Sequence, residues 1–315
     1  MTIVSNSPAW WPVIHASRSF NYCAVAAFVI VTYDWALTFE LEVELIWKQR
    51  WSPMTVLYLS LRYLGISYAT LYMLCYGPII SLTDTVSLII YFVQTWTGIL
   101  VFSILCVIII ARLHAMYQGS KKILIFLIII CTAVNGYIGV AALLAISRVS
   151  GEELILSGTY QCAFSYTGNI ILLFSVGWIL SVVWEVLVLC FAVWIALKHL
   201  RELRQFSARG MIGDCLMVLM KTHVLYFASF VAVSCFILVV YLCPILPPVQ
   251  KFLATYTFNG LFQISEVIQR TVLGPRLILN VREYYAKRVA NSNAATDMAS
   301  IAFQERVHIS TGSGV

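Results

Sequence analysis

At 315 residues the chain is 61% hydrophobic and 11% charged, with a mean hydropathy of +0.89. Soluble domains run at about 45–50% apolar and about 25% charged residues, so this composition excludes an ordinary soluble protein. The formal net charge of +6 is not a nucleic-acid signal, because the basic residues alternate with apolar runs along the chain as membrane topology requires.

Residues 1–19 form a short N-terminal segment, polar to aromatic, with Trp10-Trp11-Pro12 suited to a membrane interface. Apolar runs then predict seven spans, at about 20–39, 53–75, 86–111, 122–146, 170–197, 222–243 and 252–274. Most come close to or exceed the roughly 20 residues a helix needs to cross a bilayer. They lack the strand-like alternation of a membrane barrel, so the expected fold is an all-α seven-helix membrane bundle. No basic segment precedes the first span, which is expected to stay in the membrane rather than be cleaved as a signal. Beyond Gly274-Pro275, residues 275–290 place Leu277, Val281, Tyr284 and Tyr285 on one face. That spacing predicts an amphipathic helix on the inner membrane surface. Residues 291–315 are small and polar and read as a disordered cytosolic tail.

Orientation follows from the connectors. One set carries Lys48, Arg50, Arg112, Lys121, Lys122, Lys198, Arg201, Arg204, Arg209 and Lys221, and the opposite set only Arg18, Arg148 and Lys251. The positive-inside bias puts the N-terminus outside and the C-terminus in the cytosol. The plasma membrane or another membrane of the secretory pathway is the expected location.

The first hairpin carries most of the polar information. Asp34 lies late in the first span, Glu40, Glu42, Glu44, Lys48 and Arg50 fill the connector, and Arg62 interrupts the second span. A charge inside hydrocarbon is costly, so Asp34 and Arg62 should face protein or water. The stretches LTFELEVELIWKQRW and LRYLGI resemble a large family of seven-span membrane proteins found mainly in basidiomycete fungi. That family is known by its N-terminal "domain of unknown function 6533". The resemblance covers about residues 22–67; VQTWTG at 93–98, ARLHAMY at 111–117 and GPRLILNVRE at 274–283 extend it along the membrane domain. It implies the seven-span architecture and no particular activity.

In the seventh span Asn259, Gln263, Glu266 and Arg270 recur at helical spacing as one polar stripe. Counting depth at about 1.5 Å per residue matches Arg62 with Glu266 and Asp34 with Arg270. A four-member network of Asp34, Arg62, Glu266 and Arg270 is therefore expected in the inner half of the bundle; the plainer alternative is that both arginines snorkel to head groups. Glu185 has no basic partner at its depth. With Asn259 and Gln263 it is the candidate ligand or proton site.

Of nine cysteines, most sit inside spans and behave as small apolar residues. Cys162, in the 147–169 loop, could bridge to Cys75 or Cys243 at the outer face; free thiols are the alternative. The histidines show no metal-ligand spacing, and the last span has only Lys251 at its edge, so no metal, haem or retinal is expected. Arg112 follows Ala111, where receptors coupled to G proteins carry an acid. Arg112, Lys198, Arg201 and Arg204 are candidates for a face that meets a cytosolic partner, or for topology-setting and head-group contacts. No GxxxxGK[ST], GxSxG or HExxH occurs, so enzyme activity is not expected. Three readings remain: a receptor-like signalling protein with a small-molecule ligand, a transporter or channel using the buried charges, or a structural or lipid-interacting protein. The partners expected are the bilayer, a ligand and a cytosolic signalling protein.

Overall fold

The structure is a computed structural model. It describes residues 3–5, 7–76, 84–116, 121–156, 159–166, 168–205, 259–276 and 278–283, with 228, 232, 286, 287 and 289 besides. The sixth predicted span apart from 228 and 232, the start of the seventh, Arg209, Lys221, Cys243, Lys251, Leu277, Tyr284, Tyr285 and the 291–315 tail lie outside the described residues.

The first helix, α1, runs Trp11–Glu42 and continues through a π turn at Val43–Trp47. The predicted 20–39 span is thus the middle of a 37-residue helix, about 55 Å long at 1.5 Å per residue. Pro12 stands in the first turn, where its missing N–H costs nothing. Glu40 and Glu42 are good helix formers, so nothing stops the helix at the membrane edge. Helix α2 (Pro53–Tyr76) is launched by Ser52, whose Oγ accepts the Thr55 N–H at 3.3 Å. Then follow α3 (Asp84–Met116), α4 (Lys121–Arg148) and α5 (Ile170–Gln205). The last of these runs past the predicted 170–197 span and carries Lys198, Arg201 and Arg204 on as helix.

Among the described residues, four helical stretches are long and apolar enough to cross a membrane: Trp11–Trp47, Thr85–His114, Lys121–Arg148 and Ile170–Ile195. The protein is therefore read as a multi-pass membrane protein. Helix α2 has the length, 24 residues, but Arg62 and five tyrosines lower its apolarity. It lies inside, between α1 and α3, where protein groups answer those polar atoms. Helix α4, by contrast, buries little and leaves Ile125, Phe126, Ile128 and Ile129 outward, as a lipid-facing helix does.

The C-terminal helix, residues 259–276, widens to a π turn at Gln269–Leu273 and passes through Gly274-Pro275 without ending. A π turn shifts the hydrogen-bond ladder by one residue, next to the place where proline has no N–H to give. Small residues hold this helix close. A Cβ on Gly65 would meet Thr271 at 2.9 Å, and one on Gly274 would meet Leu105 at 2.7 Å. Further on, Ile278 and Leu279 are buried against Leu45, Ile46 and Tyr58, so this part of the segment expected on the membrane surface docks on protein instead.

The 147–169 loop holds a β-hairpin, a departure from an all-helical chain. Strand β2 (Val149–Leu156) pairs antiparallel with β3 (Thr159–Tyr166), and β1 (Ile3–Ser5) adds parallel to β2 with Ile3 opposite Leu154. Ser157-Gly158 between Leu154-Ile155-Leu156 and Thr159-Tyr160 is the sequence signal for it. The pairing puts the N-terminal segment at the same end of the bundle as the α4–α5 connection.

Candidate functional site

Among the described residues two polar regions stand inside the bundle. The first is built on the first hairpin. Asp34, Thr38 and Glu42 recur every four residues on one face of α1, and all three are buried against α2. Arg62 meets them there, 1% exposed, with Asp34 at 4% and Glu42 at 0%. Its Nη1 donates to Asp34 Oδ2 at 2.7 Å, and its Nη2 donates to the Asp34 carbonyl at 3.3 Å and to Thr38 Oγ1. Nε lies 3.7 Å from Glu42 Oε2. Glu42 is also held by neutral donors: Tyr63 Oη at 3.0 Å and Trp47 Nε1 at 3.2 Å give to Oε1, and Tyr58 Oη at 3.3 Å gives to Oε2. The other carboxylate oxygen of Asp34 accepts from Arg276 Nε at 2.5 Å.

The grouping differs from the expected one. Asp34 and Arg62 meet, but Glu266 and Arg270 pair with each other at 2.5 Å, one turn apart on their own helix. The Arg62–Glu266 and Asp34–Arg270 contacts are replaced by Arg62–Glu42 and Asp34–Arg276. Depth counting failed because both helices run past their expected ends. Helix α1 carries Glu42 inside, and the C-terminal helix carries Arg276 level with Asp34. Neither arginine snorkels alone. Nearby, Arg282 ties the connector down, donating to the Leu45 carbonyl at 2.9 Å and to Thr55 Oγ1 at 2.8 Å. Burial pushes its guanidinium pKa down from the usual value.

The second region is a cavity of about 190 Å³ between α2, α3, α4 and the C-terminal helix, lined by Tyr68, Tyr91, Gln94, Gly98, Phe102 and Arg270 among others. Gly98 makes the room, since a Cβ there would approach the Tyr68 ring to 3.2 Å. Gln263, from the polar stripe, donates to Tyr68 Oη at 3.5 Å. The Arg270 guanidinium lies 5.5 Å from the centre of the Phe102 ring. Gln94 is 8% exposed, and its Oε1 has no hydrogen-bond partner. At the hairpin end, Tyr166 on β3 donates its hydroxyl to Tyr91 Oη at 3.0 Å. Burial first, and then that hydroxyl, push the Tyr166 phenol well above its ordinary pKa.

Glu185 faces a smaller void beyond Phe102, next to Arg270 and Cys106, and its Oε2 has no hydrogen-bond partner. Asn259 is half-buried on the C-terminal helix. Cys75 is buried at the end of α2, while the Cys162 side chain lies outside the described ones; its backbone sits on β3 opposite Glu153. Lys198 is exposed on α5, Arg112 is half-buried at the end of α3, and the Arg201 and Arg204 side chains lie outside the described set.

Sequence reading missed Glu42, Thr38 and Arg276, and also Gln94. For the first two a signal existed, the i, i+4, i+8 spacing from Asp34. Comparison with known proteins adds one finding. A family model described as "Family of unknown function (DUF6533)" matches residues 22–67, the block that carries Asp34, Thr38, Glu42, Ser52, Tyr58 and Arg62. Among curated proteins none matches the chain.

Proposed function

We propose that this multi-pass membrane protein is a receptor-like seven-span protein that takes a small ligand into the cavity under the hairpin. The observation that carries the reading is the cavity itself, with an unanswered Gln94 carbonyl in its wall and a tyrosine pair joining it to the hairpin. Ligand sites in helical bundles are concave, mostly apolar, and set by a few convergent polar groups. In this reading the hairpin end faces outside and the basic ends of α3 and α5, with Arg112, Lys198, Arg201 and Arg204, meet a cytosolic signalling protein.

The test is a screen of small molecules on protein in nanodiscs, followed by labelling. A ligand at a hundred times its Kd stabilises the fold by about 2.7 kcal/mol, and Gly98→Val should abolish that shift. The bound ligand should also change the thiol-labelling rate of Lys198→Cys at the far end of α5. A ligand that binds in the cavity and leaves that rate unchanged overturns the receptor reading. The transport alternative draws on Glu185, whose carboxylate oxygen stands unanswered beside Arg270. Ligand or proton uptake into proteoliposomes, lost in Glu185→Gln, would establish that alternative instead.

A further inference from the structure

We infer that the cavity takes a neutral molecule about the size of one ring that carries a hydroxyl or amide N–H, and that this donor is received by Gln94 Oε1. This rests on the cavity being a ligand site. Three observations narrow the ligand's chemistry.

The first is size. Apolar cavities of about 150 Å³ accept benzene, so about 190 Å³ admits one ring with one polar substituent. The second is hydrogen-bond polarity. Gln263 donates to Tyr68 Oη at 3.5 Å, and Tyr91 Oη receives the Tyr166 hydroxyl. Among the described residues of the wall, the buried polar atom without a hydrogen-bond partner is an acceptor, Gln94 Oε1. A buried polar atom without a partner is costly, and a ligand that supplies the missing donor removes that cost. The third is charge. The charged group in the wall is Arg270, and it is already matched by Glu266 at 2.5 Å. A ligand ammonium would be set beside a guanidinium. A ligand carboxylate would have to displace Glu266 and would lie near Glu185 as well. A neutral donor meets neither obstacle, and its apolar body lies against Ile99, Phe102 and Ile138.

Four probes of one shape separate these terms: benzyl alcohol, toluene, benzylamine and benzoate, each para-fluorinated. Saturable binding is read by fluorine NMR against full-length protein in nanodiscs, with empty nanodiscs subtracted. Benzyl alcohol should bind best, with toluene about tenfold weaker for want of the donor. In Gln94→Leu the alcohol should fall to the toluene level while toluene itself is little changed. That second arm needs only a folded variant, which the toluene signal reports. If toluene matches the alcohol, or benzylamine or benzoate exceeds it, the ligand class is wrong and the cavity stands as a site. If no probe gives saturable binding that Gly98→Val removes, the cavity is not a ligand site and this inference falls with it.

Discussion

Replacing Arg62 by Met would leave two buried carboxylates, Asp34 and Glu42, without the guanidinium that lies between them. Breaking a buried ion pair from one side costs roughly 3–5 kcal/mol, a large part of a domain's whole stability. Arg62→Met should therefore express poorly, and Arg62→Lys should rescue little, since one ammonium cannot reach Asp34, Thr38 and Glu42 together. Glu42→Gln should cost less, because the amide oxygen still accepts from Tyr63 and Trp47. Glu266 pairs with Arg270, so the effects of Arg62→Met and Glu266→Gln should add in a double-mutant cycle. A coupling above about 0.5 kcal/mol in melting experiments would contradict this arrangement. Lone charges in apolar runs made Asp34 and Arg62 legible in the sequence. Glu42 was hidden by its charged neighbours, and Arg276 by the Gly-Pro that reads as a helix end.

At the scale of elements, small residues set the distance of the C-terminal helix from α2. Gly65→Ala should destabilise the fold by about 1–3 kcal/mol, the usual cost of overpacking, because its methyl group would meet Thr271. Gly136→Ala on α4 is the control: nothing lies within 4 Å of the added Cβ, so helix propensity should make it neutral or stabilising by up to about 1 kcal/mol. Thermal melts in detergent decide between them, and equal effects at both sites would remove the close-approach argument. Such spacing is not legible in one sequence, because it depends on which helices touch. The cavity is hidden for the same reason, since Gly98 and Tyr68 come from different helices. The hairpin was partly legible in Ser157-Gly158, where the length of the connector suggested a loop.

For the whole molecule, β1 pairs with β2, so the N-terminal segment and the α4–α5 hairpin share one side of the membrane. Epitope tags at residue 2 and at residues 157–158 should both be accessible on intact cells, and a tag at residue 315 only after permeabilisation. Tags at 2 and 157–158 on opposite sides would refute the helix alternation from α1 to α4. A C-terminal tag on the same side as both would refute the count of seven.

Helix α2 also bears on how the chain is made. An arginine at the centre of a membrane helix disfavours insertion by about 2.5–3.5 kcal/mol, and α2 adds five tyrosines to that load. The groups that neutralise it, Asp34 and Glu42, belong to α1, which leaves the ribosome first. The two helices should therefore partition from the translocon together, α2 waiting for its predecessor. In a glycosylation-reporter fusion α2 alone should insert inefficiently and α1–α2 efficiently, and Asp34→Ala with Glu42→Ala should return the pair to the efficiency of α2 alone.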